Sequence, residues 1–189
     1  MIFMLSLPKN IYIMSDYKKF IIQQYTTNGS SETNVGNAVD TQATYGIVCK
    51  ECPFKVLPEP KELPKRDWYD EHGDDVYLPS DGLKFKAYDL EVTFLYVGAG
   101  ADKESDMRTK IGNFINFLYG RNDGGSPLLK IYDEYTLTGR KGVVCIGVDN
   151  DMLVYDDAND NVIGEFSVKF RVNNPVYSVQ YNKNNGTLT

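Results

Sequence analysis

The chain has 189 residues, of which 42% are hydrophobic, 13% aromatic and 24% charged, so it can bury a core and is not a disordered chain. Its formal net charge of −6 argues against specific nucleic-acid binding, which needs Lys and Arg to neutralise phosphates. No apolar run reaches the roughly 18 to 20 residues that a membrane helix needs, and we expect no membrane partner. Three cysteines, an odd number, favour a reducing compartment over a disulfide framework.

The first 44 residues are predicted to be an N-terminal extension or arm that is partly flexible. Residues 1–13 precede Met14 and are interpreted as an extension from an upstream start codon, or as an arm that binds a neighbour. Periodicity leaves residues 15–25 open between a strand and a helix. Residues 26–44 are rich in Thr, Asn, Gly and Ser, which is typical of a loop. A single β domain is expected over residues 45–181, followed by a polar, frayed tail over residues 182–189.

The first part of that domain contains two predicted strands separated by a proline-rich, polar region. Residues 45–49 form the first strand, prolines then punctuate residues 53–64, and residues 65–82 form a polar connector. Residues 83–97 alternate between apolar and polar side chains in two successive runs, which is the clearest strand signal in the chain. The second run places four side chains on one face: Leu90, Val92, Phe94 and Tyr96.

One amphipathic helix is predicted over residues 106–119. Ser105 or Asp106 is positioned to cap its first N–H groups, and Gly120 supplies the left-handed residue that ends many helices. Its apolar side chains fall on one stripe: Met107, Ile111, Phe114, Ile115 and Leu118. A lone helix with such a stripe must pack on a sheet.

The rest of the domain reads as a meander of short strands. Strands are predicted over residues 127–132, 135–138, 143–148, 152–155 and 162–172, with turns at residues 139–142, 149–151 and 156–161. The last strand places Phe166, Val168, Phe170 and Val172 on one face. The predicted fold class is therefore α+β and mainly β, an antiparallel β-sandwich or barrel with one amphipathic helix packed on it.

The chemistry-bearing residues do not form a familiar catalytic motif. Cys49 and Cys52 form a C-x-x-C pair that, with Cys145 and His72, gives one conceivable zinc set or a thiol redox site. A structural zinc site usually shows two such pairs, so ordinary cysteines are the favoured interpretation. The acidic residues between positions 67 and 75, and those between positions 149 and 160, fit solvated loops and turns better than a cation site. We therefore expect a non-enzymatic protein without a catalytic residue, metal or cofactor.

The aromatic residues favour assembly instead. The chain has 14 tyrosines, nine phenylalanines and one tryptophan, and tyrosine is common in protein–protein contacts because it joins apolar area to a polar tip. The interface candidates in peripheral segments are Trp68, Tyr69, Tyr77 and Tyr177. Two alternatives stay open: a zinc- or thiol-dependent enzyme, and a ligand-binding β-sandwich that stacks a carbohydrate on Trp68 and Tyr69.

An ordered set of segments gives a family resemblance. It comprises the connector at residues 66–75, a strand at residues 90–94, the helix at residues 107–119, a strand pair near residues 129–132 and 143–146, and a closing F-x-V-x-F-x-x-x-x-P pattern from Phe166 to Pro175. This order resembles the N-terminal domain of distal tail proteins of tailed bacteriophages and the tail-tube fold they share. The first 60 residues match no part of it.

The resemblance implies a structural role in a phage or prophage tail. It implies a homo-oligomeric ring, hexameric in that family, with strands paired between subunits and with other tail or baseplate proteins as partners. It places the protein in the virion, after synthesis in the bacterial host cytoplasm. A tube protein, a distal tail protein and a head–tail completion protein remain open.

Overall fold

The computed structural model describes residues 19–56, 58–98, 103–149, 153–156 and 162–189. Within these ranges it contains twelve strands and two helices. In chain order they are β1 (Phe20–Asn28), β2 (Ser31–Asp40), α1 (Thr41–Tyr45), β3 (Ile47–Glu51), β4 (Lys65–Asp67), β5 (Asp74–Val76), β6 (Tyr88–Gly98), α2 (Lys103–Leu118), β7 (Leu129–Asp133), β8 (Thr138–Val148), β9 (Leu153–Asp156), β10 (Val162–Val172), β11 (Tyr181–Asn182) and β12 (Thr187–Leu188). Neither described helix has the length and apolar character to cross a membrane.

One antiparallel sheet carries the fold. Its strand order is β2-β1-β7-β8-β10-β6-β3, and β9 pairs with the first half of β10, in line with β8. The rings of Phe20 on β1 and Phe94 on β6 pack edge to face with their centres 5.4 Å apart, although three strands separate β1 from β6 in the sheet. Strands lie about 4.8 Å apart, so this contact requires the sheet to curl strongly around its own inner face. The mainly β, antiparallel fold class predicted from the sequence is confirmed.

The centre of the core is the pair formed by β6 and β10. Their eleven register pairs run from Val162↔Gly98 to Val172↔Tyr88, and alternate side chains of both strands face inward. The inward set is buried: Tyr88, Leu90, Val92, Phe94, Tyr96, Phe166, Val168, Phe170 and Val172. The strand predicted over residues 162–172 is thus confirmed, as is the second alternating run of residues 83–97. The first run is not a strand, and only a Pro60↔Phe85 bridge forms there.

Helix α2 covers the inner face of this sheet. Four of the five predicted stripe residues are buried and the fifth, Ile115, packs against the core, while Phe114 contacts both Phe94 and Phe166. The last residue of α2 is Leu118, and the chain leaves the helix at Gly120 (φ +67°). The Gly120 N–H donates to Phe117 O, and the Arg121 N–H donates to Asn116 O. This is the Schellman arrangement. The predicted cap at residues 105–106 is wrong, because the helix begins at Lys103.

The interpretation of residues 26–44 as a loop is wrong. They complete β1, turn at Gly29 (φ +61°), and form β2 and α1. β2 lies at one end of the sheet with most of its side chains exposed, so its polar composition resembles that of a loop. Residues 20–25, left open between strand and helix, are buried strand in β1.

The polar C-terminal tail is also ordered rather than frayed. β11 and β12 pair with each other, and Leu188 is fully buried. The Leu188 N–H donates to Gln23 Oε1 at 2.8 Å, and Gln23 Nε2 donates to Gly36 O at 3.0 Å. A buried glutamine side chain therefore joins the tail to β1 and β2.

The turn between β7 and β8 lies earlier than the sequence predicts. Residues 134–137, predicted partly as strand, form the turn, and residues 139–142, predicted as the turn, lie in β8. Asp133 explains the position, because its carboxylate accepts from the N–H groups of Tyr135 and Thr136. Gly142 (φ +70°) lies instead at a register shift within β8.

Several predictions fall on residues outside the described ranges. These are the N-terminal extension at residues 1–13 and most of the turns at residues 149–151 and 156–161. The division into an arm, a domain from residue 45 to 181 and a tail stays a prediction.

Candidate assembly surface

The segment predicted as a polar connector is a β-hairpin. β4 and β5 pair through Lys65↔Val76, Arg66↔Asp75 and Asp67↔Asp74, and Gly73 (φ +90°) lies in the connection between them. Every residue of both strands is exposed. Neither strand packs extensively against any other described helix or strand. The hairpin therefore projects from the curled sheet, and its backbone pairing is local.

Large apolar side chains on this hairpin and just after it are open to solvent. Tyr69 is 99% exposed and Tyr77 67%, while Trp68 is 39% exposed with the Arg66 guanidinium 4.3 Å above its ring centre. Val76 and Leu78 are exposed as well. An isolated two-stranded hairpin is marginally stable in water, and clustered exposed apolar groups often mark contact surfaces.

Joined clefts run along the base of the hairpin. One, of about 410 Å³, lies between residues 81–85 and 173–177 and is lined by Leu83 and Tyr177. A second, of about 510 Å³, shares Leu83 with the first and is also lined by Val76. A third, of about 430 Å³, shares Val76 with the second and reaches Tyr77. We call these three together the base cleft.

The hairpin tip and the base cleft differ in charge. The tip, residues 67–75, carries five acidic side chains: Asp67, Asp70, Glu71, Asp74 and Asp75. The base cleft is lined by four basic side chains, Lys61, Lys65, Lys84 and Arg66, and by three acidic ones, Glu62, Asp75 and Asp81. The tip is thus strongly acidic, whereas the cleft carries a small excess of basic side chains.

Local ion pairs hold some of these charges. Lys65 Nζ lies 2.6 Å from Asp74 Oδ2, and this hydrogen bond raises the pKa of Lys65. Lys84 pairs with Asp81, and that hydrogen bond lowers the pKa of Asp81. Lys61, by contrast, lies at the base cleft without an ion pair to any described residue. Among the described residues Arg66 has no ion pair either, but its guanidinium lies over the Trp68 ring.

The four predicted interface residues all lie on the hairpin or on the base cleft beside it. Tyr77 and Tyr177 lie at opposite ends of the base cleft, whereas Trp68 and Tyr69 lie on the hairpin tip. Sequence reasoning missed the aliphatic members of the surface, namely Val76, Leu78, Leu83 and Val176. The sequence feature that could have identified Val76 and Leu78 is the short apolar run of residues 76–78 inside an otherwise polar segment.

The four residues of the conceivable zinc set are not brought together. Cys49 and Cys52 lie at the end of β3, whereas His72 lies on the projecting hairpin. The Cys145 thiol is buried on β8, where it donates to Gly147 O. Among the described residues, no three His, Cys, Asp or Glu side chains are arranged to hold a metal ion.

Comparisons with known proteins find similar folds among solved structures. No family model matches the chain, and no curated protein matches it in sequence. Among solved structures, it is similar to a crystal structure of the SPP1 Dit (gp 19.1) protein, whose title calls it a paradigm of the hub adsorption apparatus in phages that infect Gram-positive bacteria. The TM-score is 0.47 at 16% identity, over 85% of this chain and 52% of that one. The chain thus spans about half the length of that neighbour.

Proposed function

We propose that this chain is a structural component of a phage or prophage tail that assembles with copies of itself into a ring. The observation that carries the proposal is the projecting hairpin. It exposes Trp68, Tyr69 and Tyr77 on a two-stranded element that packs little on its own body. Covering such a surface with a partner removes apolar area from water, at about 25 cal/mol per Å².

The favoured partner is a second copy, through contact between tip and base cleft. The acidic tip of one copy complements the Lys61 side of the next copy's cleft, and Tyr69 enters beside Leu83 and Tyr177. Such a contact joins two different surfaces, so each copy keeps one free tip and one free cleft. Repeated contacts of this kind close into a ring when the rotation between copies allows it.

The tail assignment rests on the sequence resemblance to distal tail and tail-tube proteins. The segments that carry it include the helix and the closing strand with Phe166, Val168 and Phe170. On this proposal the role is structural rather than catalytic, the protein is part of the virion, and its further partners are other tail or baseplate proteins. The number of copies in the ring is expected to be six, as in that family.

Light scattering coupled to size-exclusion chromatography tests the assembly. We expect the full chain to elute as a defined oligomer whose proportion rises with protein concentration. The variant Tyr69→Ala removes the most exposed side chain of the tip and should shift the chain towards monomer. A strict monomer across the concentration range, by itself and with co-expressed tail proteins, would overturn the proposal.

A matched control shows whether the shift towards monomer is specific to Tyr69 or follows the loss of any exposed tyrosine. Tyr135 is 81% exposed in the turn between β7 and β8, and it does not line the base cleft. Tyr135→Ala should therefore elute like the parent chain. Equal dissociation by both variants would show that the hairpin is not the contact.

A further inference from the structure

The two cysteines at the end of β3 are placed on one face by a bulge. In a regular strand, residues 49 and 52 would point to opposite faces, because side chains alternate. The register of β3 against β6 shifts here, since Cys49 pairs with Phe94 and Glu51 with the adjacent Thr93, which leaves Lys50 as the extra residue. The shift returns residue 52 to the face of residue 49.

The neighbours of these residues confirm that assignment. Lys50 Nζ bonds Glu165 Oε1 at 2.8 Å on the outer face of the sheet. Cys49 and Cys52 both pack, partly buried, against the hydrophobic core on the inner face. Just beyond them the Phe54 N–H donates to Cys52 O at 2.9 Å, which turns the chain back at this point.

Cys49 affects the titration of the neighbouring Cys52 thiol. A hydrogen bond with Cys49, followed by burial, strongly raises the pKa of the Cys52 thiol. Cys52 therefore keeps its proton near neutral pH. Both cysteines are free thiols in this structure.

We propose that Cys49 and Cys52 are a modification site at which a small disulfide oxidant, such as oxidised glutathione, installs an intramolecular disulfide. The basis is the bulge at Lys50, which places both sulfurs on one face of β3 at the edge of the core. This site does not depend on the assembly surface, and its chemistry goes beyond the structural role proposed above.

The reaction balances in two exchange steps. The Cys49 thiolate attacks one sulfur of oxidised glutathione, forms a mixed disulfide and releases one glutathione thiolate. Once Cys49 is in the mixed disulfide, Cys52 gives its proton to the released glutathione thiolate and attacks the Cys49 sulfur. This releases the second glutathione thiolate, which takes up the proton that Cys49 had lost to solvent. Two protein thiols become one disulfide, one glutathione disulfide becomes two glutathione thiols, and the two electrons pass to glutathione.

The bond would close the chain where β3 leads into residues 53–64, the segment that continues to the hairpin. Cys145 stays outside the reaction, because its thiol is buried on β8 and bonds the Gly147 carbonyl. The structure thus separates one exchangeable pair from one inert thiol.

Intact mass spectrometry of the folded chain in glutathione redox buffers tests the site. After the exchange is quenched with acid and the remaining thiols are alkylated in denaturant, we expect a form that has lost two hydrogens and gained one alkyl group, at Cys145. Peptide mapping should join Cys49 to Cys52. Cys145→Ala should lose the same two hydrogens, whereas Cys49→Ser and Cys52→Ser should instead accumulate a glutathione adduct.

Measuring the same thiol–disulfide exchange constant in urea shows whether the folded structure, and not the C-x-x-C sequence alone, favours the disulfide. An unfolded C-x-x-C segment can also oxidise, but the bulge should favour the folded disulfide by about tenfold or more in its exchange constant. Three results would overturn the proposal. They are alkylation of all three thiols in strongly oxidising buffer, a stable glutathione adduct on the parent chain, and an exchange constant no larger in the folded chain than in urea.

Discussion

The β6–β10 pair and the β4–β5 hairpin are both antiparallel ladders, yet they serve opposite purposes. The first aligns eleven residue pairs and buries one side of each strand beneath α2, with a cluster of phenylalanine rings at its centre. The second aligns three pairs and buries neither side. Backbone pairing alone therefore does not show that a pair of strands stabilises the fold. Burial of one face against the core does show it. The first pair stabilises the fold, and the second is available to a partner.

The largest effect on stability is expected at Phe94. Its ring is fully buried and contacts the rings of Phe20, Phe114 and Phe166, so Phe94→Ala leaves a cavity at the meeting point of β1, β6, β10 and α2. We expect a loss of about 4 kcal/mol in the free energy of unfolding, measured by urea denaturation. The control Leu95→Ala lies on the outer face of the same strand and should cost much less. Equal losses would contradict the assignment of the inner face.

The next largest effect is expected where α2 ends. At Gly120 (φ +67°) an added Cβ would lie 2.5 Å from the carbonyl carbon of Ser126 and 2.6 Å from Pro127 N, both backbone atoms. Strain and overlap together should make Gly120→Ala cost about 3 kcal/mol in unfolding free energy. Gly29→Ala is the control, because Gly29 has a similar φ of +61° with no atom within 4 Å of the added Cβ. Its cost should be about 1 kcal/mol, and a reversed order would refute the close approach.

A smaller, pH-dependent effect is expected at Glu32 on β2. A hydrogen bond from Lys141 at 2.7 Å lowers the pKa of Glu32 below its ordinary value of 4.5. A carboxylate with a lowered pKa adds stability above its unfolded pKa, and that stability is lost as the pH falls through the folded pKa. Since the pair is partly exposed, Glu32→Gln should cost about 1 kcal/mol or less at pH 7, and less at lower pH.

Urea denaturation of parent and Glu32→Gln at pH 7 and below pH 4 measures this difference. Glu62→Gln is the control, because Glu62 is 95% exposed and lies 4.0 Å from Lys86. Its unfolding free energy should match that of the parent at every pH. A Glu32→Gln difference that stays constant or grows on acidification would have the wrong sign for this pair.

The smallest effect on stability is expected on the hairpin itself. Tyr69 is 99% exposed, so Tyr69→Ala should change the unfolding free energy of the monomer by no more than about 0.5 kcal/mol. Dilute urea denaturation checks this value. A loss comparable with that of Phe94→Ala would mean that the hairpin belongs to the core.

The sequence predicts the core pair well because periodicity and burial coincide there. The alternation of β10 and the stripe of α2 each follow from one buried face. Prediction fails where tertiary contacts override composition. β2 reads as a loop because most of its side chains face solvent. Leu188 is buried by strands far away in sequence, where its N–H donates to Gln23.

The candidate surface is predicted in part. Exposed aromatics such as Tyr69 and Tyr77 stand out in a polar segment, which identified them as interface candidates. The base cleft does not follow from the sequence, because Leu83 and Tyr177 are distant in the chain and meet only through the fold. The bulge at Lys50 cannot be predicted from the sequence either, because it depends on the register of β3 against β6.

The most direct test of contact between tip and base cleft is zero-length carboxylate–amine crosslinking of a mixture of ordinary and ¹⁵N-labelled chains. The account predicts crosslinked peptides of mixed label that join Asp70 or Glu71 of one copy to Lys61 of another, and their loss in Tyr69→Ala but not in Tyr135→Ala. Crosslinks found only within single copies at concentrations where the chain is oligomeric would contradict it.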